Sequence, residues 1–278
     1  MARRPWRLTE APPPHFIPLP ATDRIRRIVA PNPGPMTYHG TNTWLVDWSG
    51  GTAVIDPGCD DPAHLDAIMA EAAGGLSHIL LTHTHRDHLG GAEALARISG
   101  APISGHHASA HPRFQSPTRL HDQDRIAGLT VLETPGHAMD HLCFATEDGI
   151  LFTGDHVMGW STSVVPPPPN GDLIRFIAQL ERVRDRGDRL MLSGHGPRIE
   201  HPRVLVQSLL DHRHAREASI AALLTEDPMP FETVLGRAYL NLRADLLPAA
   251  RANLLSHLIK LETEERAAQD ARGWRSLR

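Results

Sequence analysis

Cysteine and lysine are scarce in this 278-residue chain. Its two cysteines, Cys59 and Cys143, are too few for a disulfide framework, which a chain of this length does not need. Lys260 is the only lysine, and the 28 basic and 32 acidic residues leave a net charge of −4. This balance argues against a strongly basic nucleic-acid-binding surface, although a local patch of arginines is compatible with it.

Long apolar runs are also missing. No segment approaches the roughly 20 apolar residues that a membrane-spanning helix requires, so we expect no membrane partner. The first residues are basic, but prolines interrupt residues 12–20, and no apolar stretch of a signal peptide follows. We therefore expect a cytoplasmic protein.

Histidine, in contrast, is abundant. The chain has 19 histidines, more than its six phenylalanines, five tryptophans and two tyrosines combined. Packing gives a soluble domain no reason to carry so many imidazoles, whereas metal sites and proton-transfer sites use them. The spacing of the histidines must show whether they form such a site.

The hydrophobic pattern divides the chain into three predicted parts. Residues 1–24 are rich in proline and are expected to form an irregular arm. In residues 25–200, short β-branched runs alternate with helical patterns, which predicts a layered α/β domain with mixed sheets. Residues 201–278 have a mostly helical pattern and predict a small helical domain.

A histidine-rich turn directly follows the apolar run His78–Leu81. His83 and His85 are two residues apart at the end of a strand, so their side chains emerge on the same side. Asp87 and His88 lie in the following turn, where they can face a second ion. Borderline metals such as zinc accept both imidazole and carboxylate ligands.

Two metal sites need more than four ligands, and three further candidates follow apolar runs. They are His137 in Thr-Pro-Gly-His, Asp155 in Phe-Thr-Gly-Asp and His195 in Ser-Gly-His-Gly. Each has a neighbouring glycine, which lets the backbone approach an ion without a steric clash. Together with the first four they make a set of seven candidate ligands.

These residues, in this order, resemble the pattern of the metallo-β-lactamase superfamily over residues 25–200. The resemblance implies an αββα sandwich with the active site at one edge of its two sheets. It implies that one metal ion is held by three histidines and a second by one aspartate and two histidines, with Asp155 as the bridge. The first set is His83, His85 and His137, and the second is Asp87, His88 and His195.

The same resemblance implies the chemistry of a hydrolase. Two divalent ions share a bridging hydroxide that attacks a carbonyl or phosphoryl centre, and they stabilise the oxyanion that develops. Asp155 and Asp87 are the expected catalytic residues, with Asp87 orienting the hydroxide. The ligand set favours Zn²⁺, and Mn²⁺ and iron accept the same nitrogen and oxygen donors.

Differences between this sequence and related families narrow the choice of branch within the superfamily. The best-known true β-lactamases carry cysteine where Asp155 stands, so antibiotic hydrolysis is not expected. Segments 32–37 and 40–43 resemble the β-lactamase-like protein 2 group, and so do residues 212–217 and 253–258 in the C-terminal part. That resemblance implies a winged-helix-like domain over residues 201–278.

Several functions compete at this point. A small acyl thioester or ester substrate agrees with the negative net charge. Cleavage of single-stranded RNA is the alternative, with four arginines as a phosphate-binding edge: Arg213, Arg216, Arg243 and Arg251. A non-catalytic metal-binding adaptor is a third reading, which the complete ligand set disfavours. In each catalytic reading, the proline-rich loop Trp160–Asn170 is a candidate wall of the substrate pocket.

Overall fold

Two mixed β-sheets form the centre of the structure, a computed structural model that describes residues 7–277 except 73, 110, 112, 113 and 115–117. The first sheet has its seven strands in chain order: β1 Leu19–Thr22, β2 Ile25–Val29, β3 Asn42–Trp48, β4 Gly51–Ile55, β5 Leu76–Leu80, β6 Ile103–His106 and β7 Thr118–Leu120. The second sheet has the order β12-β11-β10-β9-β8: β8 Arg125–Ile126, β9 Leu129–Glu133, β10 Leu142–Ala145, β11 Ile150–Gly154 and β12 Leu190–Ser193.

The expected irregular arm was wrong at Leu19–Thr22, which is the edge strand β1 paired antiparallel with β2. Proline tracts usually oppose strand formation because proline donates no backbone hydrogen bond. At Pro20 this loss is tolerated because an edge strand needs partners on one side only. Residues 1–6 of the predicted arm lie outside the described residues.

Alternation along the strands builds two faces of the first sheet. In β3, Trp44 and Val46 point toward the second sheet, while Leu45 between them points to the outer face. The inner side chains meet Phe144 and Phe152 of the second sheet in a buried core. Burial on both faces explains why these strands are apolar at consecutive positions.

Helices cover both outer faces and complete an αββα sandwich. Those on the first sheet are α1 Pro62–Glu71, α2 Arg86–Leu89 and α3 Ala92–Ser99. The second sheet is covered by α4 Leu173–Asp185 and by the first half of α5 Pro202–Ala221. Asp61 and Asp172 begin α1 and α4, where each side chain accepts a backbone hydrogen bond of the first turn. The predicted fold class is confirmed.

The C-terminal part combines helices with a hairpin that the helical sequence pattern did not indicate. It continues from α5 through α6 Phe231–Ala238, a 3₁₀ turn Ala244–Leu246, α7 Leu247–Thr263 and the strands β13 Ala267–Asp270 and β14 Gly273–Ser276. Trp274 is buried against the helices and anchors the hairpin. Because α5 packs with the sandwich at Leu205 and with the C-terminal core at Ile220, the division at residue 200 stays a prediction.

No helix among the described residues is both long enough and apolar enough to cross a bilayer. The cytoplasmic location stays a prediction.

The only lysine of the chain belongs to a buried ion-pair network of the C-terminal part. Lys260 Nζ lies 2.9 Å from Glu217 Oε2, and Arg266 Nη1 lies 2.7 Å from Glu217 Oε1. Burial alone would raise the pKa of Glu217, but His257, Lys260 and Arg266 lower it to about 2. The charged carboxylate therefore stabilises the packing of α5 against α7.

Glu217→Gln is expected to lower the free energy of unfolding at pH 7 by about 1–3 kcal/mol, because Lys260 and Arg266 lose the more buried of their two carboxylate partners and keep only Glu264. The pKa of Glu217 is lower in the folded chain, so its contribution is complete above the ordinary value of 4.5 and is lost as the pH falls toward about 2. Urea unfolding at pH 7 and pH 3, with the exposed Glu226→Gln as control, measures this. A difference that does not shrink at pH 3 would contradict the assignment.

Candidate metal centre

The seven predicted ligands meet at one end of the sandwich, beyond the ends of β5, β9, β11 and β12. His83, His85 and His137 form one group, in which Nε2 of His83 and Nε2 of His137 lie 2.9 and 3.0 Å from Nδ1 of His85. Loops after strands of both sheets supply these side chains, so they meet only when the sheets are packed together. The histidine-rich turn alone cannot form the site.

A second group lies beside the first. Asp87 Oδ2 is 3.1 Å from His195 Nε2 and 3.6 Å from His88 Nε2. Asp155 lies between the two groups, with Oδ1 3.4 Å from His195 Nε2 and Oδ2 3.5 Å from His137 Nε2. The geometry therefore places Asp155 where a shared ligand would stand.

The hydrogen bonding of three atoms in this cluster shows whether a cation would fit there. Within the described part of the chain, His88 Nε2, His195 Nε2 and Asp155 Oδ1 are buried and have no hydrogen-bond partner. Buried polar atoms without a partner are costly, unless a group such as a metal ion satisfies them. All three belong to the predicted ligand set and point into the same space, so the residues fit a metal centre.

The outer nitrogens of the imidazoles are held by acceptors, which sets the tautomers. His137 Nδ1 donates to the carbonyl of Val164 at 2.6 Å, and His195 Nδ1 donates to the carbonyl of Gly40 at 3.3 Å. Carbonyl oxygens can only accept, so the proton lies on Nδ1 and the Nε2 lone pair faces the cluster. This arrangement orients metal-ligating histidines and raises their basicity.

Asp56 is the functional residue that our sequence analysis missed. Its carboxylate lies 2.8 Å from His88 Nδ1 and accepts hydrogen bonds from the backbone N–H of Thr82 (2.8 Å) and the hydroxyl of Thr82 (2.7 Å). The same hydroxyl contacts His83 Nδ1 at 3.0 Å, so one buried carboxylate positions two ligands. The available signal was an aspartate directly after an apolar strand, before Pro57-Gly58.

The backbone of Asp56 also marks it as a constrained position. Its φ of 53° lies in the left-handed region, which a side chain other than glycine rarely adopts. Three hydrogen bonds to its carboxylate offset this cost, and strain of this kind is concentrated at functional sites.

Burial and neighbouring charges separate the pKa values of the candidate ligands. Burial lowers the pKa of His83 and lowers that of His85 to about 4, so both rings are neutral. Burial would lower the pKa of His88 too, but the carboxylates of Asp56, Asp87 and Asp155 raise it. Burial opposes ionisation of Asp87, yet His88 and His195 lower its pKa to about 2.

Two glycines allow the ligand loops to approach each other. A Cβ atom on Gly194 would lie 2.8 Å from His88 Cε1 and 2.9 Å from Asp155 Oδ1. A Cβ atom on Gly154, whose φ is 47°, would lie 2.7 Å from the Thr82 hydroxyl. These contacts are too short for any side chain, which explains why glycine precedes Asp155 and His195.

The segments before and after the ligands supply further support. Thr41 donates from its hydroxyl to the carbonyl of Asp87 at 3.0 Å, and Asn32 accepts from the N–H of Thr41 at 2.9 Å. His141 Nε2 accepts from the N–H of Asp155 at 3.2 Å. Cys143 is fully buried and contacts Thr134, as expected for a structural thiol.

Another histidine group, His106 and His107 with Glu133, lies apart from these ligands. His106 is buried. The N–H of Ala108 donates to His106 Nδ1 at 3.0 Å, which places the ring proton on Nε2. A protonated Nε2 cannot ligate, so we assign no metal to this group.

A family model described as the metallo-beta-lactamase superfamily matches residues 36–195. The chain belongs to this superfamily. A second model, described as a beta-lactamase associated winged helix domain, matches residues 232–274. The two matches confirm the predicted family, and the second one includes β13 and the first half of β14.

Curated relatives cover most of the chain. The beta-lactamase-like protein 2 homolog of Drosophila melanogaster is 31% identical over 265 residues, 87% of this chain and 89% of the relative. An atrochrysone carboxyl ACP thioesterase of Cryptosporiopsis sp. is 32% identical over 209 residues, 73% of this chain. The match covers 63% of that thioesterase, so this chain spans less than two thirds of its length.

Solved structures share the fold. A metallo-beta-lactamase family protein of Thermus thermophilus superimposes with a TM-score of 0.76 at 25% identity, over 92% of this chain and 99% of that one. A beta-lactamase domain protein of Burkholderia ambifaria reaches 0.81 at 20% identity, over 96% and 94% of the two chains. A protein solved in a di-iron-bound form is 28% identical, with a TM-score of 0.54 over 64% of this chain and 95% of that one.

Asp56→Asn is expected to weaken zinc binding by about 10–100-fold, the usual effect of removing a group that orients a metal ligand. The asparagine amide has the same shape but replaces one acceptor oxygen with a donor, so His88 or Thr82 loses its partner. Competition with a chromophoric chelator measures the affinity. The exposed Asp60→Ala, on the same turn, is the control; equal affinities for Asp56→Asn and the control would refute the role of Asp56.

Proposed function

We propose that this chain is a dinuclear metal-dependent hydrolase of a small acyl thioester or ester. The observation that carries the proposal is the convergence of two three-residue ligand groups on a shared Asp155. In the proposed enzyme, His83, His85 and His137 hold one divalent ion. Asp87, His88 and His195 hold the other. When bound, the two ions supply an activated water and an electrophilic contact for a substrate oxygen.

The two aspartates have different roles in this proposal. Asp155 is buried between both groups, with a side chain that is 9% exposed, and it serves as the shared ligand. The side chain of Asp87 is 29% exposed and reaches the solvent-facing side of the cluster. With its pKa lowered to about 2, Asp87 is ionised at neutral pH. It therefore accepts a hydrogen bond from the attacking water and orients it, and it is too weak a base to keep the proton.

An apolar cavity next to the centre supports an acyl substrate. The cavity, of about 170 Å³, lies between the loop after Asp155 and the C-terminal part, and Met36, Trp160, Val164 and Tyr239 are among its lining residues. Val164 lines this cavity, and its carbonyl accepts the hydrogen bond of His137 Nδ1. Trp160 and Val164 belong to the loop Trp160–Asn170, which is the predicted wall of the substrate pocket, and we propose this cavity as that pocket. Such a wall suits the apolar part of an ester or thioester.

Relatives agree with this substrate class. One is named an atrochrysone carboxyl ACP thioesterase. The ligand set of five imidazoles and two carboxylates favours zinc, and the similarity to a protein solved in a di-iron-bound form keeps iron as the alternative metal.

The RNA alternative loses support in the structure. The predicted phosphate-binding edge was wrong for Arg213, which is 4% exposed and bonded inside the protein. Arg243 and Arg251 are exposed and form surface ion pairs with Asp245 and Glu232. Arg216 donates to the carbonyl of Ala238 and lies over the ring of Tyr239. We therefore do not propose RNA cleavage.

Asp155→Ala is expected to reduce the turnover of any substrate by about 10³-fold or more. Loss of the shared ligand removes several kcal/mol of transition-state stabilisation, and about 1.4 kcal/mol corresponds to a tenfold change in rate. Steady-state kinetics of the zinc-loaded enzyme measures the effect. The exposed Asp66→Ala should keep the full rate. If turnover and metal content survived Asp155→Ala, the dinuclear assignment would fail.

A substrate panel tests the reaction class. It contains acyl thioesters, a lactone, bis-p-nitrophenyl phosphate, single-stranded RNA and a cephalosporin, and each is assayed with zinc, manganese or iron. We expect turnover of thioesters or the lactone, at a rate that changes little between 50 and 200 mM salt (roughly the range over which phosphate-contacting proteins lose most affinity). Cleavage of RNA alone, with a steep salt dependence, would overturn the substrate assignment.

A further inference from the structure

Residues 163–165, the ligand-support segment, connect the candidate metal centre with the C-terminal part. The carbonyl of Val164 accepts the hydrogen bond of His137 Nδ1 at 2.6 Å. The hydroxyl of Ser163 donates to the backbone carbonyl of Asp155 at 2.5 Å. Ser163 and Val165 are buried. Any displacement of this short segment therefore moves the partners of two candidate ligands.

Three side chains of α5 and α7 hold this segment. Arg213 Nη2 donates to the carbonyl of Ser163, and Ser256 Oγ donates to the carbonyl of Val165 at 2.7 Å. Asn253 Oδ1 accepts from the N–H of Val165 at 3.1 Å. It also accepts from Arg213 Nη1 at 3.2 Å, which links two of the three residues to each other.

Arg213 is an unusual residue for such a place. Its guanidinium is buried, and the groups described around it are the Ser163 carbonyl, the Asn253 amide and the ring of Phe176, 5.2 Å from the guanidinium carbon to the ring centre. Burial lowers its pKa to about 10, so it stays charged at neutral pH. A buried charge is costly and needs firm hydrogen bonds, which makes this contact rigid.

A neighbouring arginine shows the contrast. Arg216 lies one turn further along α5, and its contacts are with Ala238 and Tyr239, both in the C-terminal part. Neither of these two contacts of Arg216 involves the ligand-support segment. What distinguishes Arg213 is that it reaches across to the loop that follows Asp155.

We propose that Arg213, Asn253 and Ser256 are positioning residues of the metal centre. They fix the ligand-support segment so that the Val164 carbonyl holds the His137 ring in the orientation that faces the other ligands. The inference rests on the proposed metal-dependent function, and it makes the C-terminal part a structural component of the metal site. By linkage, metal binding and the docking of the C-terminal part strengthen each other to the same extent.

Cobalt binding to the full-length protein tests this without any substrate. Co²⁺ reports ligand geometry through its visible absorption, and titration gives its affinity. Arg213→Met keeps the apolar contact with Phe176 but removes the hydrogen bonds, and Asn253→Leu removes the acceptor. We expect each to weaken Co²⁺ binding by about tenfold, the lower end of the range for groups that orient ligands, and to shift the absorption bands.

Matched variants separate positioning from general destabilisation. Asn253→Asp keeps an acceptor at Oδ1 and is expected to bind Co²⁺ within about twofold of the unmodified protein. Arg216→Met removes an arginine from the same helix and should leave affinity and spectrum unchanged. Ser256→Ala removes only one hydroxyl, so it is the variant to use if the larger substitutions prevent folding. We expect it to weaken Co²⁺ binding by about threefold or more. This is less than the usual effect of removing a group that orients a ligand, because only one of the three contacts is lost.

The outcomes are distinct. If the unmodified protein binds no Co²⁺, the proposed metal-dependent function fails, and this inference fails with it. If it binds Co²⁺ and the folded variants at Arg213, Asn253 and Ser256 have the same affinity and spectrum, only the positioning role is overturned. Equal losses in Arg216→Met and Arg213→Met would also overturn it, because the effect would then be one of general stability.

Discussion

The need to hold five imidazoles and two carboxylates together inside the protein constrains the rest of the structure. Free imidazoles in such a space would rotate and take either tautomer, and unpartnered carboxylates would repel. Acceptors behind the rings prevent this. Val164 and Gly40 accept from His137 and His195, and Asp56 contacts His88. Each of these three rings therefore turns one defined nitrogen toward the cluster, ready for a cation.

The sandwich provides these acceptors because its two sheets end at the same place. Asp56 follows β4 of the first sheet and the histidine-rich turn follows β5, which is the neighbouring parallel strand. Asp155 and His195 follow β11 and β12, which are also parallel neighbours. Loops that follow parallel neighbours leave a sheet at one edge, so packing the two sheets brings both pairs of loops together. Glycines next to the ligands then allow the close approach that larger residues would block.

Sequence alone predicted the parts that depend on side-chain identity and periodicity. The seven candidate ligands and the sandwich strands have such signals. The signal at Asp56 is weak, because one aspartate between an apolar strand and a turn resembles many capping residues. The hydrogen bond that supports His137 could not be predicted from the sequence. It comes from the backbone carbonyl of Val164, and every residue has a backbone carbonyl. Arg213 was misread for a related reason: an arginine in an amphipathic helix is usually exposed, and the burial of Arg213 depends on contacts with Ser163, Phe176 and Asn253, which are distant in the sequence.

The loop after Asp155 has two tasks that physical proximity makes inseparable. Its Trp160 and Val164 line the apolar cavity, while the carbonyl of Val164 holds a candidate ligand. Asn253 of α7 lines the same cavity and holds the N–H of Val165. Under the proposed function, a substrate in this cavity would press on the support of His137. In that proposal, anchoring by Arg213 resists the displacement, so the buried charge allows one short loop to serve both the candidate substrate pocket and the candidate metal centre.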